Sequence, residues 1–134
     1  MEQLQSIRDL SQMGRHAEAE SAARALLTTL PQAGETVFLL AYAIHQQGRL
    51  EEAIPQYELA LRYTPMHPSA LNNLGTILRQ FGRTEEALVR FRQASVADPG
   101  KPWIWSNYAS ALEDLGHTKE ALESLRRAAA LAPE

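Results

Sequence analysis

Apolar and polar positions alternate along this chain with the period of a helix, and the whole pattern then repeats at a longer period. Leu71, Leu74, Gly75 and Leu78 fall at i, i+3, i+4 and i+7, the stripe of an amphipathic helix. After Gly82 a second stripe begins, carried by Ala87, Leu88, Phe91 and Ala94, and it stops before Pro99. The same two-helix plan recurs with Trp105, Tyr108, Ala109 and Leu112, followed by Ala121, Leu125 and Ala128. Four near-identical phrases mark the joints: GRHAEA from Gly14, GRLEEA from Gly48, GRTEEA from Gly82 and GHTKEA from Gly116, each 34 residues after the last. Pro31, Pro65, Pro99 and Pro133 keep the same spacing. A fixed period of this size marks a repeat architecture, with one supersecondary unit per repeat.

Each joint has a local explanation. Glycine takes a positive φ at no steric cost and so ends the first helix. The sequence places Thr84 as the cap of the next helix, with Glu85 and Glu86 in its first turn, where the helix dipole favours carboxylates. Small residues (Ala41, Gly75, Ala109, and the alanines Ala19, Ala53, Ala87 and Ala121) let the paired helices approach closely, while Tyr57, Phe91 and Leu125 fill the neighbouring hole. The first unit exchanges sizes, with Ala23 and Leu26 where the second has Tyr57 and Ala60. Pro55 falls in the first turns of its helix, where it removes one hydrogen bond and bends the axis.

The motif LNNLG at Leu71, EEAL at Glu85, then Phe91, Ala94 and the pair Asp98–Pro99 resembles the tetratricopeptide repeat over essentially the whole chain, with Trp105 in the family's tryptophan column. The resemblance implies an all-α, right-handed α-solenoid of four helix–turn–helix units and eight helices. The expected organisation is one domain over 1–134, with repeats at approximately 1–33, 34–67, 68–101 and 102–134. It also implies a protein–protein interaction scaffold that binds a peptide or partner segment in a concave groove lined by the first helix of each unit.

Composition narrows the chemistry. The chain has 134 residues, of which 45% are hydrophobic and 22% charged, and a net charge of −3. That balance is ordinary for a globular chain and gives no basic footprint for nucleic acid. The related RNA-reading repeats have a longer period and a basic surface, so no nucleic-acid partner is expected. Without cysteine, disulfides and thiolate metal sites are excluded, and no cofactor is expected. The opening MEQLQSIRDLSQ lacks the features of a signal peptide, and the longest apolar run, Val37–Ile44, is too short to span a bilayer. A cytoplasmic location without membrane contact is the expectation. His16, His45, His67 and His117 have no helical partner at metal-ligand spacing, and turn histidines are expected to be solvated. Neighbouring Glu51–Glu52 and Glu85–Glu86 do not face each other on a helix, so no catalytic residue and no enzyme activity is assigned to this segment.

The groove positions follow from helical spacing. They are Leu4, Gln5, Arg8 and Gln12 in the first unit, and Glu35, Phe38, Leu39, Tyr42, His45 and Gln46 in the second. The third contributes Ser69, Asn72, Asn73, Thr76, Arg79 and Gln80, and the fourth Trp103, Ser106, Asn107, Ser110, Glu113 and Asp114. From these, Phe38, Tyr42, His45, Asn72, Asn73, Thr76, Arg79, Trp103, Asn107 and Ser110 are the expected partner-binding residues. Phe38 and Tyr42 lie outside the core stripe and suit either an apolar peptide anchor or cover for the joint with the first unit. Asn73 and Asn107 share a column, as in the asparagine ladders of some glycosyltransferase arrays. They either clamp a peptide backbone or bond to water or to the adjacent unit. The columns that hold lysine, asparagine and arginine in chaperone-tail binders hold Phe38, Tyr42, Asn73, Trp103 and Asn107 here, which disfavours that ligand.

The ends differ. Gln3, Gln5, Arg8, Asp9, Ser11 and Gln12 give the first helix a polar face, whereas Ala121, Leu122, Leu125, Ala128, Ala129 and Leu131 give the last one more apolar surface than its partner helix can hide. The expectation is that something covers this end: further chain, such as the catalytic domain of a glycosyltransferase- or sulfotransferase-like enzyme for which this segment recruits substrate, or another copy stacked end to end.

Overall fold

In a computed structural model, which describes residues 2–31 and 33–131, the chain is all-α. The helices are α1 (Glu2–Gln12), α2 (His16–Thr29), α3 (Gly34–Gln46), α4 (Leu50–Tyr63), α5 (Pro68–Gln80), α6 (Thr84–Ala97), α7 (Pro102–Asp114) and α8 (Thr118–Leu131). They form antiparallel hairpins α1–α2, α3–α4, α5–α6 and α7–α8 of the α-solenoid class. Two compact units result, one ending at Pro65 and the other beginning at Met66, each holding two hairpins. Pro133, the last member of the proline series, lies outside the described residues.

The repeated phrase builds one joint four times. Gly14, Gly48, Gly82 and Gly116 take φ of 76°, 82°, 78° and 79°. At Gly82 the glycine N–H donates to Arg79 O (3.0 Å) and the Arg83 N–H to Leu78 O (2.9 Å). This is the Schellman arrangement that satisfies the last carbonyls of a helix. The residue after the glycine is the N-cap of the next helix, so the cap is Arg83 and not Thr84, which is already the first helical residue and makes no capping bond. The cap position falls one residue before the threonine, on an arginine with no short side-chain acceptor. In its place the arginine side chain reaches forward: Arg15–Glu18, Arg49–Glu52 and Arg83–Glu86 pair at 2.7 Å, and His117 lies 3.4 Å from Glu120. The glutamate before each alanine is therefore an ion-pair partner of the joint as well as a dipole partner of the helix.

Inside each hairpin the small residues are fully buried: Ala19, Ala53 and Ala87 are 0% exposed and Ala121 is 2% exposed. Gly75 sits against Phe91 so closely that a Cβ would lie 2.8 Å from Phe91 Cε1. Tyr57 and Phe91 are buried as expected, and so are the exchanged Ala23 and Leu26. Leu125, in the same column as Tyr57 and Phe91, is 42% exposed instead. Helix α6 packs against both α5 and α7, whereas none of the described residues follows α8. Helix α4 runs on through Pro55.

Unit-specific contacts fix the spacing between neighbouring hairpins. In the first unit Glu20 of α2 accepts from Arg49 Nη1 (2.7 Å), Gln47 Nε2 (2.9 Å) and Arg24 Nη2 (2.8 Å). Its side chain is 13% exposed, and chiefly the Arg49 hydrogen bond lowers its pKa to about 2. In the second unit Trp105 Nε1 donates to Pro99 O (2.8 Å), and Arg92 Nε of α6 donates to the Tyr108 hydroxyl of α7 (3.1 Å).

Candidate functional site

The first helices of each unit carry every expected binding residue. In the first unit α3 turns Val37, Leu40, Ala41 and Ile44 into the core, and Phe38 and Tyr42 follow on the adjoining face one turn apart. Their rings stack with centroids 6.2 Å apart and planes at 28°. On its inner side Phe38 meets Tyr57 (6.0 Å). On the outer side the pair lines a shallow cavity of about 290 Å³ shared with Arg8, Ser11 and Gln12 of α1 and with Glu35. Arg8 and Glu35 form its charged rim, 3.4 Å apart and each partly exposed. Both readings of the aromatic pair thus have a counterpart: it covers the α1–α3 joint and it leaves aromatic surface open. Leu39, assigned to the groove by spacing, is 5% exposed and belongs to the core, because α1 packs over it.

Histidines depart from the expectation of solvated turns. His16 lies edge-on to Tyr42 (5.9 Å, 74°), and its Nδ1 is buried without a hydrogen-bond partner among the described residues, as is Ser11 Oγ beside the same cavity. His67 caps α5, its Nδ1 accepting from the Ala70 N–H at 3.1 Å. His45 Nδ1 lies 2.8 Å from the Tyr57 hydroxyl, and burial holds its pKa below the usual histidine value. It is a member of the α3–α4 contact, with its Nδ1 already committed to Tyr57.

In the second unit two pairs of polar side chains join α5 to α7. Asn72 is 5% exposed, and its Oδ1 accepts from Asn107 Nδ2 at 3.0 Å. Arg79 pairs with Asp114 through two hydrogen bonds, the Nη2–Oδ1 one at 3.1 Å, which keeps the guanidinium charged and lowers the Asp114 pKa. These are two rungs between α5 and α7, and Asn107 is joined through the first of them to Asn72. Thr76 Oγ1 donates to Asn72 O (3.0 Å) and Ser110 Oγ to Ser106 O (3.2 Å). Asn73 is half-buried and also engaged. Trp103, 41% exposed, is the large apolar member of this set that stays open.

Among the described residues, no group of three acidic or histidine side chains could hold a metal ion, and no helix is long and apolar enough to cross a membrane.

Hairpins of this form, repeated at constant spacing with a glycine joint, define a helical-repeat protein. Models of the tetratricopeptide repeat match residues 4–62, 53–102 and 78–134, and the chain belongs to the tetratricopeptide repeat family. Its repeats make it a protein-interaction scaffold. No curated protein matches it. Among solved structures, a crystal structure of MamA is 17% identical, covering 94% of this chain and 74% of its own, with a TM-score of 0.84. MamA 41-end from Desulfovibrio magneticus RS-1 is 18% identical, covering 99% and 77%, with a TM-score of 0.83. At these identities the likeness is one of fold.

Proposed function

We propose that the scaffold takes a segment of a protein partner on its first-helix faces, and that the α1–α3 cavity of the first unit holds an apolar side chain of that segment. The observation that carries this reading is the stacked Phe38–Tyr42 pair beneath a cavity of about 290 Å³ with a charged rim. Aromatic surface that is held rigid and open can be desolvated by a partner at little entropic cost, which is how anchor pockets dominate binding. Trp103 is the corresponding open surface in the second unit. The Asn72–Asn107 and Arg79–Asp114 rungs favour a positioning role for those residues over direct ligand contact, because a partner would have to break bonds already made.

Affinity capture with the wild type beside a Phe38→Ala/Tyr42→Ala variant tests the proposal. The expected result is loss of specific captured proteins while the thermal melt stays cooperative. Tyr42→Lys, which leaves the Phe38–Tyr57 contact in place, gives the same loss with less effect on stability. Identical sets of captured proteins from all three refute the reading.

A further inference from the structure

Between α6 and α8 the second unit has an open pocket of about 310 Å³, floored by the buried Trp105, Tyr108 and Leu112 of α7. Arg92 and Ser95 of α6 form one wall, and Ser124 and Arg127 of α8 the other. Ser124 and Arg127 lie about 140–160° around α8 from Leu122 and Ala129, so the pocket and the exposed leucines are on different faces of that helix. Each arginine is anchored on an aromatic ring of the floor. Arg92 Nε donates to the Tyr108 hydroxyl at 3.1 Å, and the Arg127 guanidinium stacks over Trp105 at 5.0 Å. Arg127 is also paired with Glu123 at 3.4 Å, and Glu120 at the rim lies 3.4 Å from His117. Two groups are left over. The Arg92 Nη atoms make no hydrogen bond or ion pair among the described residues, and neither does the Ser124 hydroxyl, although Ser124 is only 4% exposed. A buried hydroxyl and an anchored guanidinium thus line one cavity with their donors unmet.

At the equivalent positions of the first unit the arginine is satisfied internally. Arg24 stands where Arg92 stands and pairs with Glu20 at 2.8 Å, whereas Leu88 takes the place of Glu20 in α6. Leu27 and Leu59 stand where Ser95 and Arg127 stand, and Val37 where Trp105 stands. The second unit therefore lacks the internal carboxylate and has an aromatic floor in its stead. We propose that this pocket binds a carboxylate carried on an apolar group. Arg92 and Ser124 donate to the carboxylate, and Trp105, Tyr108 and Leu112 receive the apolar part. The external carboxylate takes the role that Glu20 has for Arg24. Glu120 and Glu123 line the same pocket, and their charge opposes a dianion such as phosphate more strongly than a monoanion. Two sources carry this chemistry, a free small acid and the carboxyl-terminal residue of a peptide with an apolar side chain.

The probes are phenylpropionate, its neutral amide and inorganic phosphate, each titrated into the full chain. Binding is read from the indole N–H resonances of the two tryptophans, Trp105 in the pocket floor and Trp103 outside the pocket as the internal control. The acid is expected to shift Trp105 saturably, to leave Trp103 in place, and to bind at least about tenfold more tightly than the amide. Arg92→Met weakens the acid by about tenfold and Ser124→Ala weakens it less, while Arg90→Met, on α6 but outside the pocket, leaves it unchanged. Because acid and amide are compared on the unaltered protein, the charge test does not depend on any variant folding. A peptide ending in phenylalanine, with a free or an amidated carboxyl group, separates the two sources. Competition by the free form alone identifies a chain terminus, and no competition by either form identifies a free acid. Equal affinity for acid and amide, phosphate binding as tightly as the acid, or no saturable shift at Trp105 overturns the proposal.

Discussion

A methyl group added at Gly75 tests the hairpin packing directly, because two effects of opposite sign meet at this atom. In a helix interior glycine is worse than alanine by about 1 kcal/mol, so Gly75→Ala would stabilise α5 if nothing stood nearby. A Cβ there would lie 2.8 Å from Phe91 Cε1 and 3.0 Å from Cδ1 and Cζ, closer than carbon atoms pack. Phe91 is 1% exposed and its flat ring has no free end to swing aside. Overpacking of this kind costs about 1–3 kcal/mol, so the net expectation is a loss of about 1 kcal/mol and a fall in Tm of about 3–5 °C. The decisive measurement is a double-mutant cycle by urea unfolding. In a Phe91→Leu background the ring is gone, and the same Gly75→Ala change should stabilise by up to about 1 kcal/mol, a coupling of about 2 kcal/mol. Gly75→Ala that stabilises equally in both backgrounds would refute the close-packing account of the small-residue column.

The glycine of the joint behaves differently, since a Cβ at Gly82 meets nothing within 4 Å while φ is 78°. Gly82→Ala should therefore cost about 1–2 kcal/mol through backbone strain alone, with no rescue by any neighbouring substitution, as urea unfolding would show. The Glu20 cluster predicts an acid-sensitive contribution. Its folded pKa of about 2 lies below the unfolded value near 4.5, so its stabilisation is complete above about pH 5 and is lost as pH falls toward 2. That contribution is at most about 3 kcal/mol. Glu20→Gln should flatten the stability profile across this window, and an unchanged slope would count against the Arg49–Glu20 link.

How much of this could be read from the chain depends on the range of the interaction. The eight helices and their glycine joints were legible because each is decided within a few residues, by φ at the glycine and by apolar spacing. The cap at Arg83 was not, since the helix begins at Thr84 and the residue before it, an arginine, pairs with Glu86 where a hydroxyl would be expected to cap. Leu125 misled because α6 has α5 and α7 on either side, whereas α8 packs on α7 alone among the described residues. The rungs Asn72–Asn107 and Arg79–Asp114 join residues 35 apart, one more than the repeat, so a search along columns passes over them. Glu20 stands in the column of Leu88 and Leu122, where nothing in the local sequence announces an ion pair with a residue 29 positions on.

These exceptions bear on where specificity resides. Positions that recur in all four units, glycine, arginine or histidine, glutamate and alanine, are consumed by the joint and leave nothing for a ligand. Positions that vary divide into two kinds. Some, such as Glu20, Asn72 and Arg79, vary because the two hairpins within a unit are joined by their own polar contacts, and a paired group gains little from exchanging one partner for another. Others, Phe38 with Tyr42, Trp103, and Leu122 with Leu125, leave apolar area in water that no described contact removes. Burial of such area is the main favourable term in association. On the proposed reading, the free energy available to a partner lies chiefly on the aromatic face of α3 and at the start of α7. Substitutions there should change binding with little effect on folding, whereas substitutions at the rungs should do the reverse.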